Sequence, residues 1–156
     1  MTTLETIASH ENVARAIRRV TAADGKSPGI GRLTCKHLAE QREVYVELVS
    51  RKLLSRSWRF LPALYCEIPK GNGKKRELNI PTVLDRVVEH AILGVIEPLW
   101  DPTFSPYSYA FRTNPEGGEK QRGQHPAIRQ MRAYMERGAT HLVDMDLTRF
   151  FDTMNR

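Results

Sequence analysis

Residues 64–81 read LYCEIPKGNGKKRELNIP, and residues 82–96 read TVLDRVVEHAILGVI. The first stretch has a period of two. Leu64, Cys66 and Ile68 fall on one side, and Leu78 and Ile80 repeat the pattern after GNG at 71–73, a strong turn signal. A β-hairpin over 64–81 is predicted, with Lys70, Lys74, Lys75 and Arg76 at its tip. The second stretch has a helical period. Val83, Val87, Ala91 and Val95 form one apolar ladder, and Leu84, Val88, Ile92 and Ile96 form another. Two adjacent ladders make a wide apolar face, so a buried helix is predicted over 82–97. Thr82 and Asp85 resemble a capping box at its start. A period-two hairpin running into a buried helix points to an α+β fold.

Upstream, residues 10–22 predict a helix with Val13, Ile17 and Val20 on one face and Arg15, Arg18 and Arg19 outward. The loop DGKSPGIGR, 24–32, reads as a mobile segment because of its glycines, proline and basic residues. A second helix is predicted over 36–55, with Leu38, Tyr45, Leu48, Val49 and Leu53 near helical spacing. Downstream, EPLWDPTFSPYSYAFR, 97–112, reads as an ordered Pro-rich aromatic loop, and TNPEGGEKQRGQ, 113–124, as a polar loop tip. A helix is predicted over 125–137, with Pro126 in its first turn and Gly138 after its end. Val143, Met145 and Leu147 alternate as a strand.

The chain of 156 residues, 40% hydrophobic and 27% charged, suffices for one domain with a real core. Its apolar runs are broken by charges, which argues against a membrane span. The N-terminus lacks a basic-then-apolar signal layout. Cys35 and Cys66 match no metal spacing, and a reducing, cytoplasmic setting is the default. The net charge is +6, distributed unevenly. Residues 15–76 hold fifteen Lys/Arg against five Asp/Glu, a local +10, and the remainder holds nine against thirteen. Such a concentration repels itself unless a polyanion shares the surface, so nucleic acid is the natural partner. A solvated basic surface is the bland alternative.

HLVDMDLTRFFDTMNR, 141–156, places Asp144, Asp146 and Asp152 within nine residues. In a strand, Val143, Met145 and Leu147 would face the core, and Asp144 and Asp146 would share the other face. Two carboxylates about 7 Å apart repel by about 2.4 kcal/mol at an effective dielectric of 20. A cation reverses that sign, and carboxylate oxygens suit Mg²⁺. Taken singly, each aspartate reads equally as solvated or capping. Lys and Arg at a hairpin tip can hold phosphates, Arg as a bidentate fork and Lys as a point charge.

These stretches together resemble the amino-terminal half of a group II intron-encoded reverse transcriptase, or maturase. The fingers pattern Ile-Pro-Lys, a turn, Lys-Arg-x-Leu-x-Ile-Pro-Thr and Asp-Arg falls on Ile68 to Arg86. The Phe-Ser-x-x-Ser-x-x-Phe-Arg block falls on Phe104 to Arg112, and the palm motif Asp-x-x-x-x-Phe-Asp on Asp146 to Asp152. The loop 24–34 resembles the family's amino-terminal extension loop, with Gly31 and Arg32 departing from its usual sequence. Ala110 stands where glycine is usual. The resemblance implies the fingers and partial palm of a right-hand polymerase: extension and fingers helices over 1–62, fingers hairpin and central helices over 63–138, and the start of the palm over 139–156. It implies Asp146 as catalytic metal ligand, with the Leu147 carbonyl assisting and Mg²⁺ as cofactor. It implies Lys70 and Arg76 as the grip on an incoming dNTP, and Phe151 as the gate against a ribose 2′-hydroxyl. Asp144 and Asp152 would support the site.

The activity implied is RNA-directed DNA polymerisation on an RNA template with a DNA primer. The family's second carboxylate motif, Tyr-x-Asp-Asp, does not occur. The chain is therefore expected to be an amino-terminal fragment, inactive as a polymerase by itself. The alternative is a non-catalytic RNA-binding module that binds intron RNA and assists splicing, which needs only residues 15–76. A metal-dependent nuclease fragment accounts for the aspartates but not for the hairpin or Phe151.

Overall fold

The computed structural model describes residues 2–23, 27–69, 73, 75–112, 123–147 and 150. Lys70, Phe151 and Asp152 lie outside them. The chain divides into two compact units, Met1–Pro102 and Thr103–Arg156. The described residues form six α-helices and one two-stranded antiparallel sheet, an α+β arrangement.

The first unit opens with α1, Thr3–Ile7, which the hydrophobic periodicity did not reveal. The signal was Thr2 and Glu5, which form a reciprocal capping box. Helix α2, His10–Ala22, is N-capped by Ser9 and buries Val13, Ala16, Ile17 and Val20, as its pattern predicts. The single helix expected over 36–55 is two helices, α3 (Cys35–Glu40) and α4 (Arg42–Leu54), broken at Gln41 with φ −112° and ψ 34°. The run AEQRE at 39–43 offers no large apolar side chain to hold a continuous helix on the core. Leu38 is buried from one piece, and Val46, Val49 and Leu53 from the other.

Strands β1 (Leu64–Pro69) and β2 (Lys75–Ile80) form the predicted hairpin. Leu64 pairs with Ile80, Cys66 with Leu78 and Ile68 with Arg76, so the alternating apolar residues do share a face. Helix α5, Val83–Trp100, follows and extends past Pro98, three residues beyond its predicted end. A 3-10 turn, Asp101–Thr103, continues it where a loop was expected. Val83, Val87, Val88 and Ala91 of α5 join the α2 and α4 side chains in one core. Burying a side chain of that size contributes about 1.5–3 kcal/mol. The Asn12 side-chain amide donates to the carbonyls of Ile7 and Ala91, both at 2.9 Å, and so ties the end of α1 to α5.

Part of the loop read as mobile is held in place. Arg86 donates to the Ser27 carbonyl. Gly29 has φ +67° and approaches Pro81 so closely that a Cβ there would lie 2.8 Å from the Pro81 oxygen.

The second unit holds α6, Gln124–Glu136, with Gly138 in the left-handed region (φ +95°) just beyond it. The strand expected over 143–147 is not formed. Leu142, Val143, Met145 and Leu147 are 82, 77, 86 and 68% exposed, so the apolar set does not face a core. A strand requires a neighbour to satisfy its backbone, and none of the described residues pairs with this segment. No helix among the described residues is long and apolar enough to cross a membrane.

Candidate functional site

The hairpin sets the first group of candidate residues. Its turn uses Gly73 at φ +75°. Lys75 is neutralised by Glu67 across the ladder, and Glu67 also accepts from the Tyr65 hydroxyl at 3.1 Å. The Tyr65 phenol is pushed above its ordinary pKa, first by desolvation and then by the Glu67 carboxylate. Arg76 stands opposite Ile68, exposed, with no carboxylate partner among the described residues. Of the two adjacent cations on β2, Arg76 is therefore the one left available to an anion. Lys70 lies outside the described residues.

In the second unit, the block Phe104–Arg112 is tied together by its own last residue. Arg112 Nη1 donates to the Ser105 carbonyl at 2.8 Å and the Ser108 carbonyl at 3.2 Å. Its guanidinium lies 5.6 Å from the Phe104 ring centroid. A side-chain hydrogen bond with Tyr134 of α6 raises the Tyr107 pKa. Phe111 stands in the left-handed region at φ 54° and is fully exposed. That is an uncommon conformation for a bulky residue.

Asp144 and Asp146 are exposed on the extended segment 141–147. Asp146 Oδ1 accepts from the backbone N–H of Leu147 at 2.9 Å, which leaves Oδ2 open. Carboxylate and carbonyl oxygens are the donor type that Mg²⁺ takes. The number of donors does not suffice: among the described residues no three His, Cys, Asp or Glu side chains gather at one point. The described residues thus do not make a complete metal site. Asp146 and Leu147 belong to the second unit and Arg76 to the first. Phe151 and Asp152 lie outside the described residues.

No family model matches the chain. Several curated proteins are similar to it. Protein YkfC of Escherichia coli (strain K12) is 34% identical over 157 residues, covering 97% of this chain and 39% of that protein. The COX1/OXI3 intron 1 protein of Saccharomyces cerevisiae is 26% identical over 141 residues, covering 90% of this chain and 16% of the relative. The group II intron-encoded protein LtrA of Lactococcus lactis subsp. cremoris is 32% identical over 89 residues, 56% of this chain and 14% of its own length. The chain is similar to group II intron-encoded proteins. It spans well under half the length of each of these relatives.

One polar constellation in the first unit has no counterpart in the motif reading. The Asp85 carboxylate, 2% exposed, accepts from Thr82 Oγ1 (2.7 Å), the Leu61 N–H (3.2 Å) and Trp58 Nε1 (3.3 Å). The Thr82 hydroxyl accepts in turn from the Asp85 N–H at 3.2 Å. The expected box is thus half formed, because the carboxylate turns to the hydroxyl and the 58–61 loop. A buried carboxylate with three donors is satisfied. It locks residues 58–61, just before the hairpin, onto the start of α5. The sequence signal was Trp58 next to Arg59 in a polar run, but periodicity cannot pair Trp58 with a residue 27 positions away.

Proposed function

We propose that the chain is the amino-terminal portion of a group II intron-type reverse transcriptase or maturase, and that by itself it binds RNA. The observation that carries this reading is its similarity to intron-encoded proteins, LtrA among them. The +10 excess over residues 15–76 and the formed hairpin with Arg76 free of acidic partners support it. Cations spread over a surface release counterions when they meet a phosphate backbone, and this drives binding.

In the whole protein, on this reading, the activity is nucleotide addition to a DNA primer on an RNA template. Arg76 and Lys70 hold the phosphates of an incoming dNTP, and Phe151 lies against its sugar. Asp146 and the Leu147 carbonyl contribute two donors to a Mg²⁺ site completed by groups elsewhere. The fingers and palm boundaries at 62/63 and 138/139 are part of the same proposal. The second reading, a module that helps intron RNA splice without catalysis, draws on the same basic surface, which is available without any catalytic carboxylate.

The test is fluorescence anisotropy of a labelled RNA with the full chain at two salt concentrations. Affinity should fall steeply, by about 0.7 log units per log unit of salt for each phosphate contacted on a single strand. Affinity that ignores salt would remove the basic surface from the reading. Primer extension by the chain alone should be absent.

A further inference from the structure

A cleft of about 410 Å³ opens in the first unit where three segments meet: the loop 28–33, the turn 57–61 and the first turn of α5. Its size falls within the range of small-ligand sites, roughly 300–1,000 Å³. Its floor is largely apolar, with Pro28, Leu33, Trp58 and Val83 among the lining residues. Its other side chains are of one charge. Arg32, Lys52 and Arg59 line it, each exposed, and none forms an ion pair with a carboxylate among the described residues. The acid in the wall, Asp85, is buried and occupied by its three donors.

Two features hold these groups in position. The Lys52 ammonium lies 5.9 Å from the centre of the Trp58 ring. Arg59 Nη1 donates to the carbonyls of Trp58 (2.9 Å) and Arg56 (3.4 Å), which orients its guanidinium without neutralising it. An apolar, aromatic floor with a cationic rim matches a molecule that is flat and apolar at one end and anionic at the other. A nucleotide has that form, and in a single strand its base is free to leave the stack.

We propose that this cleft receives one nucleotide of a single-stranded RNA, its base against Trp58 and Leu33 and its phosphate among Arg32, Lys52 and Arg59. The inference rests on the RNA-binding reading above and adds to it a defined point of contact. It assigns a role to the 57–61 turn that neither the hairpin nor the aspartates require.

The test compares two triple variants of the full chain with equal loss of charge: R32Q/K52Q/R59Q in the cleft, and R15Q/R18Q/R19Q on the outer face of α2. Each is titrated with a labelled oligouridylate, and melting curves check that both fold. The cleft variant should lose about tenfold in affinity, with a salt slope reduced by about 2 for three lost contacts. The α2 variant should lose much less. A second measurement uses W100F, which leaves Trp58 as the lone tryptophan of the two in the sequence. Uridine monophosphate should quench its fluorescence, and inorganic phosphate at the same concentration should not. Equal losses from both triples, or quenching by neither probe, would overturn the cleft assignment while leaving RNA binding intact. Quenching by phosphate alone would reduce the cleft to a general anion site. Polyglutamate binding that the cleft triple weakens as much as RNA binding would make it a dock for acidic protein. A wild-type chain that binds no RNA at any salt would overturn the broader reading together with this one.

Discussion

Helices α2 and α6 are both thirteen residues long and both amphipathic, and they meet different fates. Helix α2 buries five residues, with α3, α4 and α5 packed around it. Helix α6 buries none, and Ile128, Met131, Tyr134 and Met135 remain 43–61% exposed. The lesson is that a 3.6-residue period specifies a helix and the side it would bury, while burial itself depends on a partner. The segment 141–147 makes the same point for a strand. Its alternation is regular, and its apolar residues face solvent.

The strongest test of this contrast is a pair of matched truncations. Ile17, 1% exposed in the α2 core, should cost about 2–5 kcal/mol when changed to Ala, through lost burial and the cavity left behind. Met131→Ala on α6 should change stability by no more than about 0.5 kcal/mol, as for an ordinary surface site. Urea denaturation monitored by circular dichroism measures both. A Met131→Ala cost as large as that of Ile17→Ala would mean that the apolar face of α6 is covered in solution, and the contrast between the units would collapse.

A smaller difference is expected between two aspartates. Asp85→Ala removes the acceptor for Trp58 Nε1, the Leu61 N–H and Thr82 Oγ1, leaving donors unmet. The expected cost is about 1–3 kcal/mol, the usual penalty for stranding a buried polar partner. Asp146→Ala loses one bond from the neighbouring N–H at an exposed position and should fall within about 0.5 kcal/mol of wild type. Thermal melting distinguishes them. A large drop from Asp146→Ala would make that carboxylate a structural group and weaken its candidacy as a metal donor.

The sequence was legible where structure is local or strongly periodic. The hairpin, α2 and α5 follow from alternation, a glycine turn and apolar ladders, and even the pairing of Leu64 with Ile80 agrees with the alternation. The break at Gln41 was not legible, because Leu38 and the α4 residues could also have lain on one continuous face. Nor was the path of 27–31, which depends on a backbone approach between Gly29 and Pro81 more than fifty residues apart. Of the candidate site, Arg76 and Asp146 could be named from motif spacing. The Trp58–Asp85–Thr82 constellation could not, because its members meet only through the tertiary fold.

The smallest effect distinguishes Glu89 from its neighbour Asp85, one helical turn away. Asp85 is surrounded by donors, whereas the Glu89 carboxyl is pushed above the ordinary value by desolvation and, secondarily, by the Asp85 charge. His90 and Arg86 oppose the shift in part. A carboxyl raised in the folded state holds its proton there more tightly than in the unfolded chain. The fold therefore binds more protons than the unfolded chain in the window just above the reference value of 4.5, and stability falls as pH rises through it. Glu89→Gln removes that loss. The variant should match wild type near pH 4 and melt slightly higher at pH 7, with the gain appearing between the two. Because the side chain reaches solvent, the gain should be small. A variant that melts lower at pH 7 than wild type would show that the Glu89 charge is favourably held by Arg86 or His90, and that the repulsion from Asp85 is outweighed.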